Sequence, residues 1–314
     1  MNILLMYPDD PNLQWFFYHS CERSLRKEHH VETFDLLETP FCIPPPLIRK
    51  WGIQFYKGKR GDIRSVIKQC KRKPDVIIQI EGGGFHHLKG YKNLGIPTAY
   101  WAIESHMSIA LDFHKNIIKD SDYIFVAMKD YINSYKEIHN NVFWLPLAAD
   151  PEIHKNYHVD KLFDIGYVGG INSTPSKMYK DKMRLLNYLS KRYNTLFVSD
   201  VWGENVGKVY SLSKIGFNRS ITGAPQLPMR VFEVMSCGTM LLTDRLGNGL
   251  EELFANEKHL VLYETRDELD ELVQYYLENE EEREKIARVG QKEVHEKHTY
   301  DIRMHTMLDK IFHE

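Results

Sequence analysis

Cysteine is scarce in this chain. The four residues Cys21, Cys42, Cys70 and Cys237 lie far apart and form no CxxC pair. That spacing argues against a disulfide framework and is the pattern of a reducing compartment. Long apolar runs are also missing, since no window reaches the roughly 18 residues of a membrane span. The first residues, MNILLMYPDD, carry no basic n-region, so no signal peptide is expected and the protein reads as cytoplasmic. Charge of one sign is lacking as well. A net charge of −2 leaves no broad positive field, and nucleic acid is not expected as a partner. The basic runs YKGKRGDIR and KRKPD are short and read as solvated loops or helix ends. No internal repeat or low-complexity segment stands out.

Apolar residues make up 43% of the 314, and aromatics 12%. This is enough for two cores of ordinary size. Short apolar runs such as NILLMY, DVIIQI, PTAYWAI and YIFVAM alternate with helical periodicities up to NVFWLPLAAD. The same alternation restarts at LFDIGYVGGIN and runs through SKMYKDKMRLLNYLSKRY, NTLFVSDVW, VGKVYSLSKI and GFNRSIT, and closes in charged amphipathic helices. Buried strands separated by helices make parallel sheets covered on both faces. The expected fold is α/β, two Rossmann-like doubly wound domains facing across a cleft. The expected domains are 1–157, 158–296 and a last helical segment, 297–314, that crosses back to the first. Ligands of such sheets sit at the carboxyl ends of the strands.

The stretch LPMRVFEVMSCGTMLLTD carries the chemistry. Pro228 suits a helix start and Gly238 a helix stop. Arg230 and Glu233, one turn apart, share a face. An arginine in a first helical turn, beside exposed backbone N–H groups, fits a phosphate. An ionised glutamate accepts only, which suits a pair of sugar hydroxyls. From spacing alone the two also fit a plain surface ion pair. The preceding loop, FNRSITGAPQLP, is long and polar and offers Asn218 and Arg219.

Together, FDIGYVGG, YSLSKIGFNRS, LPMRVFEVMSCGTMLLTD and HTYDIRMHTMLDKI resemble the donor-binding half of GT-B glycosyltransferases, with the nearest likeness to the CgeB-like, spore-maturation type. LPLAADPEIH resembles the link into that half, and GIPTAYWAIES the N-terminal domain more loosely. The resemblance implies a nucleoside-diphosphate sugar as donor, held by the C-terminal domain with no metal and no other cofactor. The acceptor it implies is a glycan, a protein or a small molecule. Glu233 matches the ribose-holding glutamate, Gly169 and Gly170 the turn that approaches the diphosphate, and Arg230 a basic position beside that glutamate. Where the E-x7-E group has its first glutamate this chain has Pro225, so that group's donor-sugar contact does not carry over and the stereochemical outcome stays open.

Arg219 and Arg230, with Lys214 third, are the cations expected to stabilise a leaving diphosphate. An inverting transfer also needs a base. Glu104 and His106 close the strand run YWAIESHMS at a ligand edge, and Glu81, His86 and His87 flank the triple glycine of IQIEGGGFHH. Other signals read as structural. DSD, Asp120 to Asp122, precedes a strand rather than following one. HEKH, His295 to His298, is one residue short of a zinc-protease motif and reads as surface histidines. EGGGF lacks the GxGxxG spacing of a dehydrogenase. Tyr275, Tyr276 and Leu277 read as core. Trp15, Phe85 and Trp202 fit either a sugar site or the core. Two rivals share the expected fold, a non-catalytic nucleotide-sugar-binding relative and a nucleotide-sugar epimerase. The sequence leaves the donor base, the sugar, the acceptor and the oligomeric state open.

Overall fold

The computed structural model describes residues 1–9, 17–36, 61–81, 88–105, 110–171, 177–220 and 226–313. The chain divides into two compact units, Met1–Pro146 with Met304–Glu314, and Leu147–Arg303.

The first unit holds β1 (Asn2–Tyr7), α1 (Phe17–Arg26), β2 (His30–Asp35), α2 (Ile63–Ile67), β3 (Val76–Ile80), β4 (Thr98–Ala102), α3 (Ala110–Asp120), β5 (Tyr123–Val126), α4 (Ile132–Lys136) and β6 (Val142–Trp144). Its six strands are all parallel, in the order β2-β1-β3-β4-β5-β6. Every residue of VIIQI in β3 and TAYWA in β4 is buried. Central strands of a doubly covered sheet have no wet face, which is why they read as unbroken runs rather than alternations. Leu4, Met6 and Ile77 pack with Ile63 and Val66 of α2, while Tyr100, Ile118, Ile124 and Tyr135 form a second cluster. The run GDIRSVIKQCKRK yields only the short α2. After Ile67 the chain tightens, with Gln69 N–H bonded to Val66 O and Cys70 N–H to Ile67 O.

The second unit holds β7 (Phe163–Val168), α5 (Lys177–Ser190), β8 (Thr195–Val198), α6 (Glu204–Ser211), β9 (Ser213–Asn218), α7 (Met229–Ser236), β10 (Met240–Asp244), α8 (Leu250–Leu253), β11 (Val261–Tyr263), α9 (Arg266–Glu278) and α10 (Glu280–Lys297). The last helix, α11 (Tyr300–Phe312), straddles the division, with Met304 onward counted in the first unit. The strands are again parallel, in the order β11-β10-β9-β7-β8. The periodicity of VGKVYSLSKI reads as one helix, but its last residues, Ser213 to Ile215, instead open β9. There Phe163 pairs with Ser213 and Ile165 with Ile215, and burial of Ile215 against β7 outweighs the local helical periodicity.

Each sheet reverses its winding once, between β1 and β3 in the first unit and between β7 and β9 in the second. The carboxyl ends of these strand pairs form the crevices in which such folds bind ligands.

Candidate active site

In the second unit the residues at the reversal are Val168, which ends β7, and Asn218, which ends β9. One side chain joins them. Arg230 donates from Nε to Val168 O at 2.7 Å and from Nη1 to Asn218 Oδ1 at 2.6 Å. Its guanidinium lies over the Tyr167 ring, 4.5 Å from the centroid. A fork with several donors in one plane meets two acceptors and a ring face together, which a lysine does not do.

Arg230 stands in the first turn of α7. Pro228 precedes that helix and offers no side-chain cap, and Gly238 follows it at φ +71°. Gly238 N–H bonds to Met235 O and Thr239 N–H to Val234 O, the paired bonds of a Schellman stop. Gly216 in β9 lets the helix lie close to the sheet, because a Cβ there would strike the Val234 side chain.

Gly169 follows β7 at φ +151°. A side chain at this position would collide with Arg230 Nη2 and the Tyr167 hydroxyl. The turn therefore leaves backbone and a guanidinium side by side. Gly170 is exposed, with open space where a Cβ would be. Asn218 is fully buried, and its Nδ2 donates to Thr243 Oγ1 at 2.9 Å. Both ends of its amide are engaged within the protein, so its part is to hold Arg230 rather than to touch a ligand.

Glu233 lies one turn further along α7, its side chain 15% exposed. Its Oε1 is 3.5 Å from His154 Nε2. His154 Nδ1 accepts from Asp150 N–H at 3.3 Å, which places the proton of the neutral ring on Nε2, toward Glu233. His154 belongs to the link LPLAADPEIH; nothing in its spacing pointed to α7.

The other cations are placed elsewhere. Arg219 Nη1 pairs with Asp244 Oδ2 at 3.3 Å, and Asp244 also accepts from the backbone N–H and hydroxyl of Ser220. Arg219 also lines a cavity of about 500 Å3 that includes Tyr188, Tyr263 and Arg266. Lys214 is a correction to the sequence reading. It is the second residue of β9, at the amino end of the strand, and its Nζ pairs with Asp164 Oδ1 at 2.8 Å, at the opposite edge of the sheet from Gly169.

In the first unit Glu104 follows β4 at the carboxyl edge of the sheet. Burial, and next the charge of Glu81, push its carboxyl up to about 7. Glu81 directly follows β3, is 4% exposed and accepts the backbone N–H groups of Ile103 at 2.6 Å and Glu104 at 3.1 Å. His106, His86, His87, Phe85, Trp15 and Pro225 lie outside the described residues.

Of the motifs set aside, Asp120 ends α3, and the Asp122 carboxylate accepts from Thr98 N–H at 2.9 Å and from the Thr98 hydroxyl at 2.8 Å, a structural clasp. His298 is not a surface residue. It is 6% exposed and packs on Phe254 with ring centroids 4.8 Å apart. Tyr276 is buried, but its neighbour Tyr275 is exposed. Trp202 is also exposed, 42%. Among the described residues, no group of three or more His, Cys, Asp or Glu side chains could hold a metal ion, and no helix is long and apolar enough to cross a membrane.

Residues 165–309 match a family model described as glycosyl transferase-like. No curated protein matches the sequence. Among solved structures, the Anabaena protein HepE in complex with UDP-glucose is 12% identical over 100% of both chains, with a TM-score of 0.64. Sucrose-phosphate synthase from Thermosynechococcus elongatus is 11% identical over 98% of this chain and 97% of its own, with a TM-score of 0.64. A glycosyltransferase from Rickettsia africae is 9% identical over 98% and 97%, also with a TM-score of 0.64. The two parallel sheets are those of the GT-B fold, and the glycosyl transferase-like segment on that fold supports a glycosyltransferase enzyme.

Proposed function

We propose that this chain transfers a sugar from a nucleoside-diphosphate donor to an acceptor hydroxyl, with the donor held by the second unit and the acceptor by the first. The observation that carries the reading is Arg230, fixed at the β7–β9 reversal by Val168 O and Asn218 beneath the Gly169 turn. In this reading Gly169 and Gly170 give the diphosphate backbone contact, and Arg230 supplies fixed positive charge to it. Glu233 accepts from the ribose hydroxyls. Such charge stabilises a leaving diphosphate without a metal ion.

Bond making and breaking then balance simply. The acceptor oxygen bonds to the anomeric carbon as the bond to the β-phosphate oxygen breaks, and the nucleoside diphosphate leaves with the electron pair. The acceptor proton passes to Glu104. A carboxyl titrating near neutrality suits a general base. A side-chain base of this kind goes with a single displacement and inversion at the anomeric carbon. The structural neighbour HepE holds UDP-glucose, which supports UDP-sugars as the first donors to try.

The test is release of nucleoside diphosphate by the purified chain across UDP-, GDP-, dTDP- and ADP-sugars, preceded by a thermal-shift screen for the donor that binds. Release with one donor that is lost in Glu233→Ala and Arg230→Ala supports the reading. Binding without release points to a non-catalytic relative, and an altered sugar still on its nucleotide points to an epimerase. Glu104→Gln should lose transfer while keeping donor binding; full transfer activity in that variant removes Glu104 as the base.

A further inference from the structure

Four side chains of the first unit, closed through the backbone of Glu104, form a buried ring of polar contacts around the end of β4. Glu81 Oε2 accepts from Ile103 and Glu104 N–H, and its Oε1 lies 3.0 Å from His114 Nε2 on α3. His114 Nδ1 lies 2.7 Å from the Tyr135 hydroxyl on α4. That hydroxyl is 3.0 Å from Ser105 Oγ, which brings the ring back to the residue after Glu104. Glu81, His114, Tyr135 and Ser105 are all at most 5% exposed.

Burying a carboxylate and an imidazole costs several kcal/mol of solvation, and apolar residues of similar size would end the strand more cheaply. Burial pushes the Glu81 carboxyl up, but the His114 contact and the two backbone N–H groups outweigh it and hold the group below the usual range. Glu81 is thus a buried negative charge held against the backbone of Glu104. Among the described residues, the titratable groups coupled to it are Glu104 itself, Tyr18 on α1, Tyr100 on β4, His114 on α3 and Tyr135 on α4. The three tyrosines are neutral at neutral pH, because burial raises all of them.

We propose that Glu81, itself held by His114 and Tyr135, is a positioning residue that fixes the backbone of Glu104 and sets a permanent negative charge beside the Glu104 carboxyl. The proposal rests on the reading of Glu104 as the base for its use in transfer, but its geometry stands without that reading. It gives the buried ring a purpose that strand packing does not require. Aspartate in place of Glu81 would shorten the reach to the two N–H groups. Glutamine would keep one acceptor and remove the charge.

The direct test is carbon-13 NMR titration of the Glu104 carboxyl in the wild-type chain and in Glu81→Gln. The expected result is a midpoint near 7 in the wild type and a fall of at least half a pH unit in the variant. The acid limb of the transfer rate should move down with it. An unchanged midpoint in folded Glu81→Gln overturns the proposal. If that variant does not fold, Glu81→Asp decides. Amide exchange at Ile103 and Glu104 should quicken at least tenfold, and unchanged exchange overturns the proposal. Transfer by Glu104→Gln separates the two ideas. An active Glu104→Gln ends the base reading, and the titration still judges Glu81.

Discussion

His154 Nε2 lies 3.5 Å from Glu233 Oε1, and its other nitrogen is tied to the Asp150 backbone. The histidine therefore meets the carboxylate with a defined face. Glu233→Ala should weaken donor binding by about 1–3 kcal/mol, through loss of charged hydrogen bonds. His154→Ala should weaken it less, because the carboxylate remains but is no longer steered. Isothermal titration with the best donor measures both. Equal affinity in folded Glu233→Ala removes the ribose role.

Arg230 serves a backbone carbonyl, a side-chain amide oxygen and a ring at once. Arg230→Lys keeps the charge and loses the fork. It should bind the donor at least tenfold more weakly, about 1.4 kcal/mol, with the melting temperature of the free chain lowered by the lost contacts to Val168 O and Asn218. Donor affinity at wild-type level in this variant would show that a point charge is enough.

Gly216 brings α7 close to β9, since a Cβ there meets Val234. Gly216→Ala should destabilise the chain by about 1–3 kcal/mol, the usual cost of overpacking. Urea denaturation reads this directly. The same change should lower donor affinity, because pushing α7 outward carries Arg230 and Glu233 with it.

Burial first, and then the Arg303 cation, push the His298 ring down to about 3. Unfolding frees it to bind a proton near its ordinary 6.5. Between these values the unfolded chain holds more protons, so stability falls as pH drops below 6.5. By pH 5 this one group should account for about 2 kcal/mol of lost stability. Denaturation at pH 7 and pH 5 should show a smaller difference in His298→Gln than in the wild type. An identical difference would show that His298 takes no part in the acid sensitivity.

How much of this was legible beforehand differs from residue to residue. Pro228 and Gly238 bracket α7 in the sequence as they do in space, because a helix start and stop are local events of backbone geometry. The strand NILLMY and the strand FDIGYV were equally readable, since apolar runs bury wherever a parallel sheet needs a centre. Arg219 and Arg230, and less strongly Lys214, read as cations serving one site. Strand order separates them: β7 beside β9 sends Lys214 to the far edge with Asp164 and gives Arg230 the Gly169 turn, and β10 on the other side of β9 leaves Arg219 with Asp244.

The amino-acid sequence by itself determined the α/β architecture, the two successive runs of strand and helix, and the charged helix at the mouth of the second sheet. Each follows from periodicity and from turn chemistry within a few residues. The tertiary structure decided which charges meet: Glu233 with His154, Glu81 with His114, and Arg230 with Val168 and Asn218. Those pairings depend on strand order and on burial that removes water from both partners, and neither is encoded in the spacing of residues along the chain.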